Sequence, residues 1–345
     1  MNLTNLNKYL SKKQLSAVLA LFLLIVVAGY ITFFTPNYYS LDEPIVFEIN
    51  DGESFKSVAD RLADTKVIPS KMNFRVAAFL YGAEKKIKAA RFKIPNGLSY
   101  LDLLDLLVHG PADFLRNIRV NDGQTIKWLS GKVRRDLRID SSAFANTARN
   151  PEFVNSLGID QPTMEGYLFP GNYKIYERSS PEEVIRIFHK GFTDFWHDTL
   201  KSRAKEIGFT IHQVITFASI VKGETNLVDE MPRIAGVYHN RLRIGMRLQA
   251  DPTIQYLLPD GWRRLMYRDL NIDSPYNTYK YAGLPPGPIN NPGKNPILAV
   301  LYPETHNYLY FVADGKGGHN FGRTYNEHLK YVREYREWLR NQQRK

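Results

Sequence analysis

The chain contains no cysteine. Disulfides, thiolate metal sites and cysteine nucleophiles are therefore excluded, and the protein can work in an oxidising compartment without mispaired thiols. Histidine is sparse, eight in 345 residues, and the eight are scattered without a His-Glu-x-x-His pairing or comparable spacing, so no metal and no other cofactor is expected. No serine sits in a glycine-flanked nucleophile elbow. Zinc-finger and RNP signatures are missing, and no basic segment is interleaved with aromatics, so nucleic acid is not expected as a partner. Acidic residues are outnumbered, 35 against 46 Lys and Arg, and the net charge of +11 suits an anionic partner such as membrane lipid or an acidic polymer. Long apolar runs are also lacking, with one exception.

That exception is Leu15 to Phe34, an uncharged stretch of about 20 residues, the length that crosses a bilayer as a helix. Lys8, Lys12 and Lys13 precede it, and Asp42 and Glu43 follow it. The positive-inside rule then gives a cytoplasmic tail over 1–14, a transmembrane helix over 15–35 and an extracytoplasmic remainder, which makes the chain a single-pass membrane protein. A cleaved signal peptide is the alternative; the run is longer than a typical h-region, and no clear small-x-small site follows it.

Three segments beyond the span read alike, as a short β-rich run, an Asn/Asp-Gly turn and an amphipathic helix. They are Ile45 to Leu62 around Asp51-Gly52, Phe92 to Leu107 around Asn96-Gly97, and Ile118 to Val133 around Asp122-Gly123. Phe55, Val58, Ala59 and Leu62 make the buried stripe of the first helix, and Ile126, Leu129 and Val133 that of the third. Units this small cannot bury their own apolar faces. The first two are expected to pack together over 36–114 as a βα-βα module, with Met72 to Tyr81 as an extra helix. This resembles a LysM-like fold, a binder of cell-wall glycan; small packed units with no ligand remain the alternative.

From about residue 115 to 345 the pattern is that of a larger mixed α/β domain, which makes the whole chain α+β. Ser180-Pro-Glu-Glu183 opens a helix expected to run to about Glu206. A second helix covers Ile211 to about Gly223, and a third opens at Asp229 to Pro232 and stops at Gly245. Gln249 to Gly293 is dense in Pro, Tyr and Asn with little periodicity, and long irregular loops in a compact domain are usually functional. Tyr308 to Ala313 and His319 to Phe321 read as a hairpin, and Thr324-Tyr-Asn-Glu327 as the capping box of a closing helix.

The second of these helices carries the most informative residue. Val214, Phe217, Ala218 and Val221 follow the three-and-four spacing of a buried face, and Glu224 continues that face three residues on. Burial disfavours a charged carboxylate, and the negative end of the helix dipole acts in the same direction, so Glu224 is a candidate general acid that stays protonated near neutral pH. On the residues alone, a helix-end Glu pointing at water or at a basic neighbour is the simpler reading.

Five motifs occur in order: Ala218-Ser-Ile-Val-Lys-Gly-Glu224, Asn240-Arg-Leu-Arg-Ile-Gly-Met-Arg-Leu-Gln-Ala-Asp-Pro-Thr253, Tyr276-Asn-Thr-Tyr279, Gly283-Leu-Pro-Pro-Gly287 and Tyr310-Phe-Val-Ala-Asp-Gly315. With Glu165-Gly-Tyr-Leu-Phe-Pro170 they resemble the MltG, or YceG-like, endolytic murein transglycosylases. In that family the catalytic acid is the second Glu of an Ile-Val-Glu-Lys-Glu run, which corresponds to Glu224. Lys222 stands in place of the first Glu, and Gly171 in place of the Asp that usually follows Leu-Phe-Pro. Two residues along a helix is about 200° of rotation, so Lys222 is expected opposite Glu224 and outside its pocket.

The resemblance implies a lytic transglycosylase that cuts the β-1,4 bond between N-acetylmuramic acid and N-acetylglucosamine with one carboxyl group. It also implies a place in a bacterial inner membrane and action on nascent peptidoglycan strands beside the synthases that release them, ending their elongation. Glu165, Asn240, Gln249, Asp251, Tyr276, Asn277 and Tyr279 are the expected substrate-binding residues, each of which could instead tie down the long loop. Two rivals remain: a muramidase using Asp251 as a second carboxylate, and a non-catalytic wall-binding scaffold.

Overall fold

The computed structural model describes residues 11–39, 43–259, 261 and 263–343. Lys8 and Asp42, two of the charges flanking the apolar run, lie outside the described residues, as do residues 1–10 of the expected tail. The run itself forms helix α1 (Lys12–Phe34), started by a reciprocal capping box between Ser11 and Gln14. Its 23 residues reach about 34 Å at roughly 1.5 Å per residue, enough for a hydrocarbon core. No residue of α1 is buried by protein. A helix apolar on every side, whose C-terminal end is partly covered by packing of Phe33 on Tyr100, is compatible with a single-pass membrane anchor.

The chain divides into two compact units, Met1–Leu115 and Arg116–Lys345. In the first, β1 (Ile45–Glu48) leads into α2 (Phe55–Asp64) and α3 (Lys71–Tyr81), and β2 (Arg91–Ile94) into α4 (Tyr100–Val108). The strands pair antiparallel with Ile45 opposite Ile94 and Phe47 opposite Phe92. Both turns use glycine at positive φ, Gly52 at 74° and Gly97 at 82°, a conformation that costs a residue with a Cβ. Ser54 and Ser99 then cap α2 and α4 by accepting from the backbone N–H three residues on. Phe47, Leu62, Phe74, Phe92, Leu103 and Leu104 close a core of this unit's own.

The second unit begins with the third strand-turn-helix, β3 (Leu115–Val120) and α5 (Ile126–Leu137), in which Ile126, Leu129 and Val133 are buried as their spacing predicts. Two short helices, α6 (Ser141–Thr147) and α7 (Pro151–Ser156), precede β4 (Gly171–Tyr176), and β3 and β4 form a two-stranded sheet. The helix expected from Ser180 to Glu206 is two helices, α8 (Pro181–Phe195) and α9 (Asp198–Glu206). At the break, Trp196 leaves helical geometry with ψ 71° and buries its ring beside Phe192 and Phe195. Placing a large ring in the core, worth roughly 1.5–3 kcal/mol, outweighs one interrupted turn.

The remaining elements are α10 (Ile211–Glu224), α11 (Met231–Arg243), α12 (Asp251–Leu257), α13 (Lys294–Leu301), the hairpin β5 (Tyr310–Ala313) and β6 (His319–Gly322), and α14 (Tyr325–Gln343). The start expected at Asp229 is a 3-10 turn, Val228–Glu230, and α-helix proper begins at Met231. The stretch from Gln249 to Gly293 is less irregular than expected, since Asp251 and Pro252 open α12 inside it. Thr324 caps α14 by accepting from the N–H of Glu327 at 3.2 Å, but the Glu327 carboxylate returns to the N–H of Arg323 at 2.7 Å, one residue before the cap.

Candidate active site

Helix α10 is the centre of the second unit. The sequence predicts one buried face; in the structure every residue from Val214 to Val221 is buried, because α9, α11, α12 and α13 pack around it. Its two hydroxyls are satisfied locally: Thr216 Oγ1 donates to the His212 carbonyl at 2.8 Å and Ser219 Oγ to that of Thr216 at 2.7 Å. Ser219 also holds the incoming loop, accepting from the N–H of Ile289 at 3.0 Å and, through its carbonyl, from Asn290 Nδ2 at 2.9 Å. At Gly223 a Cβ would lie 2.4 Å from Pro252, so glycine here allows α12 to close against the end of α10.

Glu224 is the last residue of α10. Its Oε1 accepts from the Tyr238 hydroxyl at 2.5 Å. Tyr238 projects from α11 and is itself almost wholly buried. The carboxyl group is pushed up to about 7, first by burial, then by the nearby Asp251 charge, against the opposing effects of the Tyr238 hydrogen bond and the Arg241 cation. Glu224 as a residue is half-buried, whereas its carboxyl has the surroundings of an interior group; both hold for a side chain at the floor of an open cleft.

The cleft has a volume of about 1490 Å³. Glu224, Gly223 and Thr225 form part of its lining, with Gln124, Trp128, Gln255 and Tyr256 among its other walls. The rings of Trp128 and Tyr256 remain substantially exposed there, able to cover pyranose faces. Among the described residues no group of three or more His, Asp or Glu side chains is placed to hold a metal ion.

The expected substrate-binding residues fall into four groups. Glu165 lines the cleft but is buried; its carboxyl accepts from the N–H of Ile126 at 3.1 Å and from Asn291 Nδ2 at 3.2 Å, and burial pushes it up to about 8. Asp251 accepts from the Tyr279 hydroxyl and adds to the field on Glu224, and Tyr276 packs on Tyr256 with ring centres 5.3 Å apart. Gln249 has an exposed side chain on a backbone at φ 48°. Asn240 and Asn277 do structural work instead. Asn240 Nδ2 donates to the carbonyls of His306 and Tyr308, and Asn277, with no exposed surface, donates to those of Leu270 and Ile272 while accepting from the N–H of Tyr279.

Sequence reasoning missed Tyr238, Arg241 and the two cleft rings. Trp128 could have been found, since it falls off the Ile126, Leu129, Val133 stripe of α5 and so had to face outward. Tyr238 could not, because its approach to Glu224 depends on how α10 and α11 cross.

The sequence profile of the YceG-like family matches residues 47–334. The chain belongs to the YceG-like family. It is similar to a protein of Bacillus subtilis (strain 168) named endolytic murein transglycosylase, 30% identical over 302 residues that cover 83% of each chain. A protein of the same name from Streptococcus pneumoniae serotype 2 is 27% identical over 300 residues, covering 77% of this chain and 53% of that longer one. The crystal structure of a yceG-like protein from Listeria monocytogenes superposes with a TM-score of 0.58 at 30% identity, covering 84% of this chain and 99% of that one.

Against the YceG-like pattern, the departure at Lys222 needs correction. Lys222 lines the same cleft as Glu224 rather than lying outside it. The rotation between them along the helix is large, but α10 ends in the cleft, where every residue from Lys222 to Asn226 contributes to the lining. The Lys222 stem lies over Gly123, where a Cβ would be 3.2 Å from its Cε, and its Nζ meets Asn226 Oδ1 at 2.5 Å.

Proposed function

We propose that this chain is a membrane-anchored endolytic lytic transglycosylase of peptidoglycan, with Glu224 as its acid and base. Support comes from membership of the YceG-like family and from the name its relatives carry. The observation that carries the chemistry is the Glu224 carboxyl group, pushed up to about 7 in the lining of a cleft of about 1490 Å³, where the other raised carboxyl, Glu165, is engaged by Ile126 and Asn291. Glu224 gives its proton to the glycosidic oxygen as the bond to muramyl C1 breaks. The resulting carboxylate, steadied by the Tyr238 hydroxyl, takes the proton of the muramyl 6-hydroxyl as that oxygen bonds to C1. No water is consumed, one group serves both steps, and the product ends in a 1,6-anhydro ring.

Several finer readings belong to the same proposal. Residues 1–14 are the cytoplasmic tail and 15–35 the span, with the remainder facing the periplasm. Residues 36–114 form a LysM-like glycan-binding module and 115–345 the catalytic domain. The span keeps the enzyme where synthases release new strands, raising its effective concentration there.

Mass spectrometry of peptidoglycan strands digested by the detergent-solubilised full chain tests the reaction. We expect anhydro-muramyl ends, one water lighter than hydrolytic ends. Reducing ends as the main product would replace the transglycosylase with a muramidase in which Asp251 activates water, and intact strands would leave a wall-binding scaffold.

A further inference from the structure

The cleft has a side pocket of about 480 Å³, lined by Arg119, Asp122, Gly171, Asn172, Lys222 and Asn226 among others. Asn121, Asp122, Lys222 and Asn226 belong to the walls of both, so the pocket adjoins the cleft beside the last turn of α10. Two cations face one carboxylate in it. The Arg119 side chain forms no ion pair among the described residues, and the Lys222 ammonium is held by Asn226 rather than by a direct salt bridge. Asp122 is packed where a Cβ on Gly293 would lie 2.4 Å from its Oδ1, and burial raises its pKa while Lys222 and Arg119 lower it. The carboxylate therefore offsets the two cations only in part.

Gly171, Pro170 and Asn172 form an uncharged part of the wall, so Arg119, Asp122 and Lys222 are the charged side chains that line this pocket.

We propose that this side pocket is an anion subsite that takes a carboxylate branching from the muramyl residue, in the first place one borne by its stem peptide. The inference rests on the proposed function, because only a strand lying in the Glu224 cleft would present a branch at this point. A carboxylate entering between Arg119 and Lys222 gains charge-assisted hydrogen bonds that an amide in the same place cannot fully replace. The asparagines at the rim supply neutral donors for the adjoining peptide groups.

Binding to the full chain carrying Glu224→Gln, so that ligand is not consumed, tests this independently of catalysis. Three muramyl tetrasaccharide probes are compared: one with stem peptides bearing free carboxylates, one with those carboxylates amidated, and one without peptides, which exposes the lactyl carboxylate. Free carboxylates should bind about five- to tenfold more tightly than amides, and Lys222→Met or Arg119→Gln should remove most of that difference while leaving the amidated probe nearly unaffected. Equal dependence of the peptide-free probe on Lys222 and Arg119 would support the subsite with the lactyl group as occupant. Arg119 is an exposed strand residue, so its variant carries the test if Lys222→Met does not fold. No preference for carboxylate in the parent, no binding of any probe, or a preference that survives both substitutions would overturn the subsite. Strand cleavage by the unsubstituted chain would still judge the proposed function separately.

Discussion

Glu224→Gln should abolish lytic activity and, at the same time, stabilise the folded protein above neutral pH. An unfolded glutamate titrates near 4.5, whereas burial pushes this one up to about 7 in the fold. Between those values the native state keeps a proton that the unfolded state has released. Native stability therefore falls as pH rises from about 4.5 to about 7, and the loss is complete above that. At roughly 1.4 kcal/mol per pH unit the interval is worth about 3 kcal/mol. Glutamine cannot ionise, keeps the shape and still accepts from the Tyr238 hydroxyl, so it escapes this loss. Thermal unfolding at pH 4 and pH 8.5 should then show nearly equal midpoints at the lower pH and a variant about 6–12 °C more stable at the higher, given the scaling for a unit of this size. Glu165 titrates in both proteins and cancels from the comparison. Activity should drop by about 10² to 10⁴. A stability difference that does not change with pH would refute the buried, protonated Glu224, and so would activity within a few-fold of the parent.

Because the acid must be protonated, kcat/KM should fall about tenfold per pH unit above about 7. Tyr238→Phe removes the hydrogen bond that favours the carboxylate, so this descending limb should move about one to two pH units higher; a limb that stays in place would separate Tyr238 from the titration. Glu165→Gln should cost under about 1 kcal/mol at pH 7, since the amide oxygen still accepts from Ile126. Glu165→Ala leaves buried donors unpaired and should cost about 2–4 kcal/mol in denaturant unfolding. Equal costs for the two would mean that Glu165 contributes by its charge and not as a neutral acceptor.

Local signals settled much of this protein before any packing was considered. The apolar run fixed α1 because length and hydropathy suffice to specify such a helix. The Asp/Asn-Gly turns and the apolar stripes beside them located β1, α2, β2 and α4 because glycine at positive φ and helical periodicity act within a few residues. The stripe leading to Glu224 offered that residue as a candidate buried acid beside the simpler reading of a solvent-facing Glu, and it is the burial seen in the fold that raises its pKa. What required the tertiary structure depends on contacts distant in sequence. Four helices turn α10 from one-sided into central, Trp196 divides a helix that capping signals alone would continue, and Asn277 is drawn inside to hold a loop instead of facing sugar. The approach of Tyr238 to Glu224 follows from the crossing of α10 and α11. Lys222 enters the cleft for a related reason: angular position on a helix describes which side a residue faces, but the walls around a helix end are built by segments from elsewhere in the chain.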